Sequence, residues 1–297
     1  MRADSYKEKE GAIHPATRLR HVSLNVSDVQ RSLEFYTSIL GFRSMGRPSG
    51  ESAQLSVPGH PNHLVELLRA DVHDLDGPRR AGLYHFAVLL PERKNLADVL
   101  AHLAENRERV HFDGLADHLV SEAIYIRDPD HIGIEIYRDR PASEWSWSNG
   151  TLQMATERLD TENLSRDETP EGWKGMPAGT TIGHVHLHVS SLPSALKFYS
   201  QILGMKLTCK YPGAYFFAAG NYHHHVAANT WLGEGIGRAE PTKIGLNHFA
   251  LELPNSKAVE TTLGRLARSG ARPEISDGQA TVHDPDEIAI RLISKGQ

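Results

Sequence analysis

The chain contains the segment His21-Val22-Ser23-Leu24-Asn25-Val26, and a related segment, His184-Val185-His186-Leu187-His188-Val189, follows 163 residues later. The same offset relates residues 35–42, FYTSILGF, to residues 198–205, FYSQILGM. Repetition of separate motifs at one offset indicates an internal duplication. The sequence therefore predicts two related halves.

Each half divides again into two similar units. His85 follows His21 by 64 residues, and His248 follows His184 by the same interval. Each histidine lies in a stretch of alternating apolar residues, which is typical of a half-buried strand. A helical pattern and further short strands follow each time. The sequence therefore predicts four βαβββ modules, at about residues 17–70, 80–140, 181–232 and 243–294.

The segments outside the modules define the expected domain organisation. We expect a flexible N-terminal tail over residues 1–16 and a linker over residues 141–180, where charged residues alternate with Pro and Gly. The modules then form an N-terminal domain over residues 17–140 and a C-terminal domain over residues 181–297.

The composition excludes several classes of protein. The 297 residues carry a net charge of −5, which gives no reason to expect nucleic acid as a partner. The sequence has no long apolar run and no apolar N-terminal stretch, so we expect no membrane partner, no signal peptide and a cytoplasmic location. A single cysteine, Cys209, excludes an internal disulfide, whereas 18 histidines suggest a metal or acid–base chemistry.

These motifs resemble those of a known superfamily. The repeated FYxxILG helix, the Asp-Pro-Asp segment before the last strand and the histidine at each first strand are similar to the vicinal oxygen chelate superfamily of glyoxalases, bleomycin-resistance proteins and extradiol dioxygenases. Residues 83–94, LYHFAVLLPERK, residues 222–225, YHHH, and residues 134–141, IEIYRDRP, most resemble two-domain enzymes of the catechol 2,3-dioxygenase type. The resemblance implies an α+β fold, with two tandem domains whose modules pair into cup-shaped mixed sheets with flanking helices.

In this superfamily the metal ligands come from the first and last strands of the paired modules. The first-strand positions hold His21, His85, His184 and His248, and the last-strand positions hold Glu66, Glu135, Ala227 and Arg291. Two imidazoles and one carboxylate form the facial triad of non-haem Fe(II) oxygenases. Arginine cannot ligate a cation, so a cup made of modules three and four would lack its carboxylate.

Three pairings of modules remain. Modules two and three would supply His85, Glu135 and His184. Modules one and two would supply His21, Glu66, His85 and Glu135, which is closer to glyoxalase I. Modules one and four would supply His21, Glu66 and His248.

The resemblance also suggests residues for acid–base chemistry. His224, in the pattern His-x-Val-Ala, resembles the histidine that moves protons in extradiol dioxygenases, and Tyr125, ten residues before Glu135, resembles the tyrosine that hydrogen-bonds the catecholate. His224 belongs to module three, whereas Tyr125 and Glu135 belong to module two. The pairing of modules two and three is therefore favoured.

The leading hypothesis is an Fe(II)-dependent extradiol dioxygenase that acts on a catecholic small molecule with O2. Mn(II) is the alternative metal, and a homo-oligomer is possible. A second hypothesis is a glyoxalase-like isomerase or lyase that uses Zn(II) or Ni(II). A third is a non-catalytic protein of the bleomycin-resistance type that binds a small aromatic molecule.

Simpler structural interpretations accompany these assignments. Glu135 could form an ion pair with Arg138 or Arg140, and the His223–His225 run could be a surface turn after the Gly220-Asn221 turn signal. His186 shares a strand face with His184 and could line the pocket.

Overall fold

The computed structural model of the protein describes residues 11–70, 79–240, 242–276 and 279–296. Within these ranges, strands form two eight-stranded mixed sheets and one two-stranded hairpin. Each module has the predicted order of one strand, one helix and three further strands. The α+β fold class and the four βαβββ modules are therefore confirmed.

The first sheet joins modules one and four. In spatial order it contains β2 (Arg43–Met45), β3 (Ser52–Ser56), β4 (Val65–Arg69), β1 (Arg18–Val26), β15 (Gly245–Leu253), β18 (Ala289–Ser294), β17 (Gln279–His283) and β16 (Glu274–Ser276). The first strands of the two modules, β1 and β15, are antiparallel to each other, and each is parallel to the last strand of its own module.

The second sheet joins modules two and three, the pairing that the sequence favoured. In spatial order it contains β6 (His111–Asp117), β7 (Ser121–Arg127), β8 (Gly133–Asp139), β5 (Gly82–Leu89), β11 (Thr181–His188), β14 (Val226–Asn229), β13 (Ala214–Ala218) and β12 (Lys206–Tyr211). Strands β5 and β11 pair antiparallel at its centre. Each sheet therefore takes one module from each half of the chain.

The module helices pack on the sheets through apolar side chains. They are α1 (Val29–Glu34) and α4 (Leu192–Ala195), which continue as the π-helical turns Phe35–Ile39 and Leu196–Ile202, together with α2 (Arg93–Glu105) and α5 (Ser256–Arg268). The Asp28 side chain caps α1 by accepting a hydrogen bond from the Arg31 N–H at 2.9 Å. The buried helix residues join one hydrophobic cluster with both sheets.

The repeated aromatic and Asp-Pro-Asp motifs bind the two modules of each half together. Tyr36, in the first helix, donates a hydrogen bond to Asp128 at 3.1 Å, and Tyr199 donates the equivalent bond to Asp284 at 2.9 Å. Both pairs are buried. Modules of the same half are thus joined through a helix and a loop, whereas modules of different halves share a sheet.

The linker follows the surface of the second sheet. It forms the hairpin of β9 (Trp147–Ser148) and β10 (Thr151–Leu152) and the short helix α3 (Thr161–Ser165), which packs on α2. Two short 3₁₀ turns, Arg107–Arg109 and Ala142–Glu144, complete the described elements.

The predicted domain boundaries at residues 17–140 and 181–297 stay predictions, and residues 1–10 of the predicted tail lie outside the described residues. Within the rest of that tail, Ile13 is buried and its N–H donates to the Gly204 carbonyl at 2.9 Å. Among the described helices, none has the length and apolar character needed to cross a membrane.

Candidate metal centre

Three predicted ligands meet on adjacent strands of the second sheet. His85 lies on β5, His184 on β11 and Glu135 on β8, and both Glu135 and His184 are in register with Ala87. Glu135 Oε2 lies 3.0 Å from His85 Nε2 and 3.1 Å from His184 Nε2. All three residues are buried. Histidine, cysteine, aspartate and glutamate are the side chains that commonly bind metals. Among the described residues, these three form the one group of such side chains whose donor atoms lie close enough together to hold a metal ion.

The close approach of β8 to β5 depends on Gly133. A Cβ atom at this position would lie 2.2 Å from the Tyr84 carbonyl oxygen, so a larger residue would separate the strands. Gly133 is in register with His85 and lies two residues before Glu135. The glycine therefore allows the carboxylate to reach the histidines across the sheet.

The electrostatics of Glu135 favour a bound cation. Burial would raise the pKa of this carboxyl, but the neighbouring His184 and His85 imidazoles hold its pKa well below the usual range. Burial lowers the pKa of His85, against the opposing effect of its contact with Glu135. No lysine or arginine of the described residues pairs with Glu135. Arg138 pairs with Glu122, and Arg140 pairs with Asp117 and Glu122. The expected ion pair of Glu135 with these arginines is therefore absent from the described structure.

The donor set fits a divalent metal ion. A buried carboxylate is costly unless it is paired with a cation, and two imidazoles with one carboxylate are typical ligands of non-haem iron. His85 Nε2 lies within 3.0 Å of Glu135 but lacks the alignment of a hydrogen bond. The three donor atoms thus converge although His85 Nε2 makes no hydrogen bond, as expected of side chains arranged around an ion.

His224 lies beside this group and not on a surface turn. Its ring centroid is 4.1 Å from that of His184, and its exposed fraction is 5%. His223 and His225 are also buried, so the surface-turn interpretation is wrong. The segment lacks regular strand geometry, which allows His223 and His224 to contact each other instead of alternating between opposite faces.

A hydrogen-bonded chain connects His224 with a carboxylate. His223 Nε2 lies 2.8 Å from Asp139 Oδ1, and His223 Nδ1 lies 2.7 Å from His224 Nδ1. A carboxylate accepts, so a neutral His223 carries its proton on Nε2 and accepts at Nδ1 from the His224 Nδ1–H. This tautomer leaves His224 Nε2 unprotonated. Burial lowers the pKa of His224 well below its ordinary value, and His184 and His223 lower it further.

Tyr125 lies opposite Glu135 on the neighbouring strand β7. Its hydroxyl is 2.7 Å from His118 Nε2, and His118 Nδ1 is 2.8 Å from the Ala155 carbonyl oxygen. Since this carbonyl can only accept, a neutral His118 donates from Nδ1 and accepts the Tyr125 O–H at Nε2. Burial raises the pKa of Tyr125 well above its ordinary value, so the phenol remains protonated at neutral pH.

The remaining predicted ligands lie elsewhere. His21 and His248 face each other in the first sheet with their Nε2 atoms 3.2 Å apart, and Glu66 accepts a hydrogen bond from Ser23 at 2.8 Å. Glu66 and Glu135 belong to different sheets. Two of the three predicted ligand sets contain His21 and Glu66, one with His85 and Glu135 and the other with His248. Neither set forms a metal cluster in the described part of the chain.

A cavity of about 360 Å³ opens beside the metal centre. Its lining includes all three candidate ligands, together with His224, Tyr125, His118 and His186. Asp139 was not predicted as a partner of the histidine run, although period-two alternation places it on the same strand face as Glu135. Met154 was not predicted either, since no motif in the linker indicates that it lines a cavity.

Comparison with known proteins identifies similar chains. The model of the Glyoxalase/Bleomycin resistance protein/Dioxygenase superfamily matches residues 18–136 and 181–292. A catechol-2,3-dioxygenase of Bacillus subtilis (strain 168) is 36% identical over 279 residues, which cover 92% of this chain and 96% of that protein.

Solved structures share the fold at lower identity. A crystal structure from Bacillus subtilis subsp. subtilis str. 168, described provisionally as a dioxygenase, aligns with a TM-score of 0.64 and 14% identity, covering 97% of this chain and 86% of that one. Glyoxalase I from Zea mays aligns with a TM-score of 0.56 and 17% identity, covering 94% and 92%. One fold thus accompanies different named activities.

Proposed function

Because the chain belongs to the glyoxalase/bleomycin-resistance/dioxygenase superfamily, we propose that it is an Fe(II)-dependent extradiol dioxygenase that opens a catecholic ring next to its two hydroxyls with O2. The observation that carries the proposal is the buried Glu135 carboxylate at the wall of a cavity. It contacts two imidazoles and no lysine or arginine of the described residues. The similarity to a catechol-2,3-dioxygenase over 92% of the chain supports it.

His85, Glu135 and His184 would hold the iron. The bound ion would supply a Lewis acid for the substrate oxygens and an electron donor for O2. Mn(II) prefers nearly the same ligands and is the alternative metal. The partners of this reaction are a small catecholic molecule and O2, and we place the protein in the cytoplasm, as a possible homo-oligomer.

His224 would accept a proton from a substrate hydroxyl at Nε2. The Asp139–His223 pair fixes the tautomer in which this nitrogen is unprotonated, and Asp139 stabilises positive charge that develops on the two imidazoles. The same histidine can return the proton to a leaving oxygen. Asp139 and His223 act through His224 and are positioning residues.

Tyr125 would orient the bound diol. Its hydroxyl donates to His118, and the phenol oxygen can accept a hydrogen bond from the second substrate hydroxyl. His118 is fixed in turn by the Ala155 carbonyl of the linker. The linker therefore helps to set the direction of the tyrosine hydroxyl.

The test is turnover by iron-loaded protein. Protein reconstituted with Fe(II) without oxygen is mixed with a panel of substituted catechols, and O2 is then admitted. A yellow ring-opened semialdehyde is the expected product, with one O2 consumed per ring. Absence of turnover for every catechol would overturn the proposal. Absence of stoichiometric iron as well would favour a non-catalytic aromatic-binding protein.

The glyoxalase-like alternative receives no comparable support. It required Glu66 and Glu135 in one site, and the two glutamates lie in separate sheets. The fold shared with glyoxalase I from Zea mays, at 17% identity, does not distinguish the two reactions.

A further inference from the structure

The cavity beside the metal centre is larger than a catechol ring requires. Its volume is about 360 Å³, whereas an apolar protein cavity of about 150 Å³ accommodates benzene. A bare catechol would therefore leave roughly half of the space unfilled. The extra volume can accommodate a substituent about as large as the ring.

The lining beyond the ligands is mainly apolar. Six large side chains from β5, β6, the linker and module three contribute to it: Tyr84, Leu115, Met154, Tyr211, Phe216 and Trp231. Met154 packs against the cluster that contains Phe216, so the linker and the second sheet form one continuous wall. Glu157 and Asp117 hold this part of the linker to β6 through backbone hydrogen bonds of 2.8 and 3.0 Å.

The charged groups of the lining are both acidic. Glu135 belongs to the metal centre, and Asp113 forms an ion pair with Arg127 at 2.7 Å. Among the described lining residues, there is no lysine or arginine. A substrate carboxylate in the part of the cavity away from the metal centre would therefore lose its hydration without gaining a lysine or arginine partner, and burial of such a charge is strongly unfavourable.

Trp231 provides an apolar contact at the cavity opening. Its exposed fraction is 47%, yet its position is fixed, because Nε1 donates to the Pro212 carbonyl at 3.1 Å and its ring stands against Tyr84 with centroids 5.6 Å apart. A Cβ atom at Gly213 would lie 2.9 Å from the indole, so the glycine leaves room for the ring. A fixed and half-exposed indole is suited to contact the distal part of a ligand.

We infer that the substrate is an uncharged vicinal diol whose aromatic ring carries an apolar alkyl or aryl group, and that catechols with a carboxylate are rejected. The inference rests on the dioxygenase function proposed above. The diol lies at the metal centre, and the apolar group fills the space between Leu115, Met154 and Trp231.

Binding to redox-inactive protein tests this inference separately from turnover. Protein loaded with Zn(II) is titrated by calorimetry with catechol, 3-phenylcatechol, 4-ethylcatechol and 3,4-dihydroxyphenylacetate. We expect the two apolar-substituted catechols to bind about tenfold or more tightly than catechol, and the carboxylate to bind at least about tenfold more weakly. Equal or tighter binding of the carboxylate would overturn the inference, as would binding of none of the four compounds.

Comparison with turnover separates the two proposals. Preferential binding of the apolar catechols without turnover by the iron-loaded protein would contradict the dioxygenase function and leave the ligand class standing. Turnover that favours the carboxylated catechol would support the dioxygenase function and contradict the inferred ligand class. The same compounds are used in both experiments, so the ranking can be compared directly.

Two substitutions locate the recognition. Trp231→Ala should weaken the binding of 3-phenylcatechol about tenfold more than the binding of catechol. Trp147→Ala is the control, because Trp147 is 37% exposed and does not line the cavity. Leu115→Arg should improve binding of the carboxylate relative to catechol, and Leu119→Arg adds the same charge to the same hairpin outside the lining. An unchanged ranking in folded Trp231→Ala and Leu115→Arg proteins would contradict the assigned contacts.

Discussion

Arg291 occupies in the first sheet the position that Glu135 occupies in the second. Glu135 is in register with Ala87, two residues after His85, and Arg291 is in register with Ala250, two residues after His248. The two cups therefore share a framework but carry opposite charges at this position, and the other last-strand position holds Glu66 in the first cup and Ala227 in the second. In the first sheet His21 and His248 contact each other, and a guanidinium stands at the position that the metal-centre carboxylate takes in the second sheet.

Restoring a carboxylate at this position should create a second metal site. We expect the wild-type protein to bind one divalent ion per chain and Arg291→Glu to bind two, since His21 and His248 already lie on adjacent strands. Metal content per chain after Zn(II) loading and desalting measures the change. Arg291→Gln removes the positive charge without adding a ligand and should remain at one ion. Equal metal content in all three proteins would show that the second cup cannot gather its ligands.

The two glutamates at last-strand positions should differ in their importance for metal binding. Glu135→Gln removes the anionic ligand and should weaken metal binding by more than the 10- to 100-fold that loss of a supporting partner typically costs. Glu66→Gln changes the same atoms in the other sheet and should leave the affinity unaltered. Competition with a metal-binding dye measures both. Loss of metal in the Glu66 variant would restore the glyoxalase-like interpretation.

Much of the fold was predictable because it repeats. The intervals between the four first-strand histidines predicted the modules. The resemblance of His224, Tyr125 and Glu135 to known site residues then favoured the pairing of modules two and three. Contacts between distant segments were not predictable in the same way. Asp139 meets His223 across 84 residues, and neither residue has a repeated counterpart that would have exposed the pairing.

The linker shows a second limit of sequence reasoning. Its polar composition indicated a connection between domains, but Ala155 accepts a hydrogen bond from His118 and Met154 lines the cavity. The backbone carbonyl of Ala155 makes the first contact, and a carbonyl is present at every residue. No side-chain pattern could therefore identify it.

The Asp139–His223 pair should affect the rate more than metal binding. In Asp139→Asn the amide can donate to His223 Nε2, which moves the His223 proton to Nδ1 and leaves His224 protonated at Nε2, the wrong tautomer for a base. Because general base catalysis contributes about 10²- to 10⁴-fold, we expect kcat to fall by at least about tenfold, with metal content retained. His224→Phe should show the larger loss. An equal fall in metal content would indicate a structural role for Asp139.

The stability of the protein should decline in acid through the histidine pair of the first sheet. Burial, together with the neighbouring His63 and Arg291, lowers the pKa of His21 to about 2 and that of His248 to about 3. The unfolded chain therefore binds more protons than the folded chain below the ordinary pKa of about 6.5. This contribution to stability is fully present above that pH and is lost progressively as the pH falls from about 6.5 towards the folded-state pKa values of about 2 and about 3.

Each of these two histidines should lower the free energy of unfolding at pH 5 by about 2 kcal/mol relative to its value at pH 7.5. His21→Asn removes one titrating group, so the loss of stability between the two pH values should be about 2 kcal/mol smaller than in the wild type. Urea unfolding of the metal-free proteins at both pH values measures the difference. The same pH dependence in His21→Asn and the wild type would mean that His21 is protonated in the folded protein as readily as in the unfolded chain.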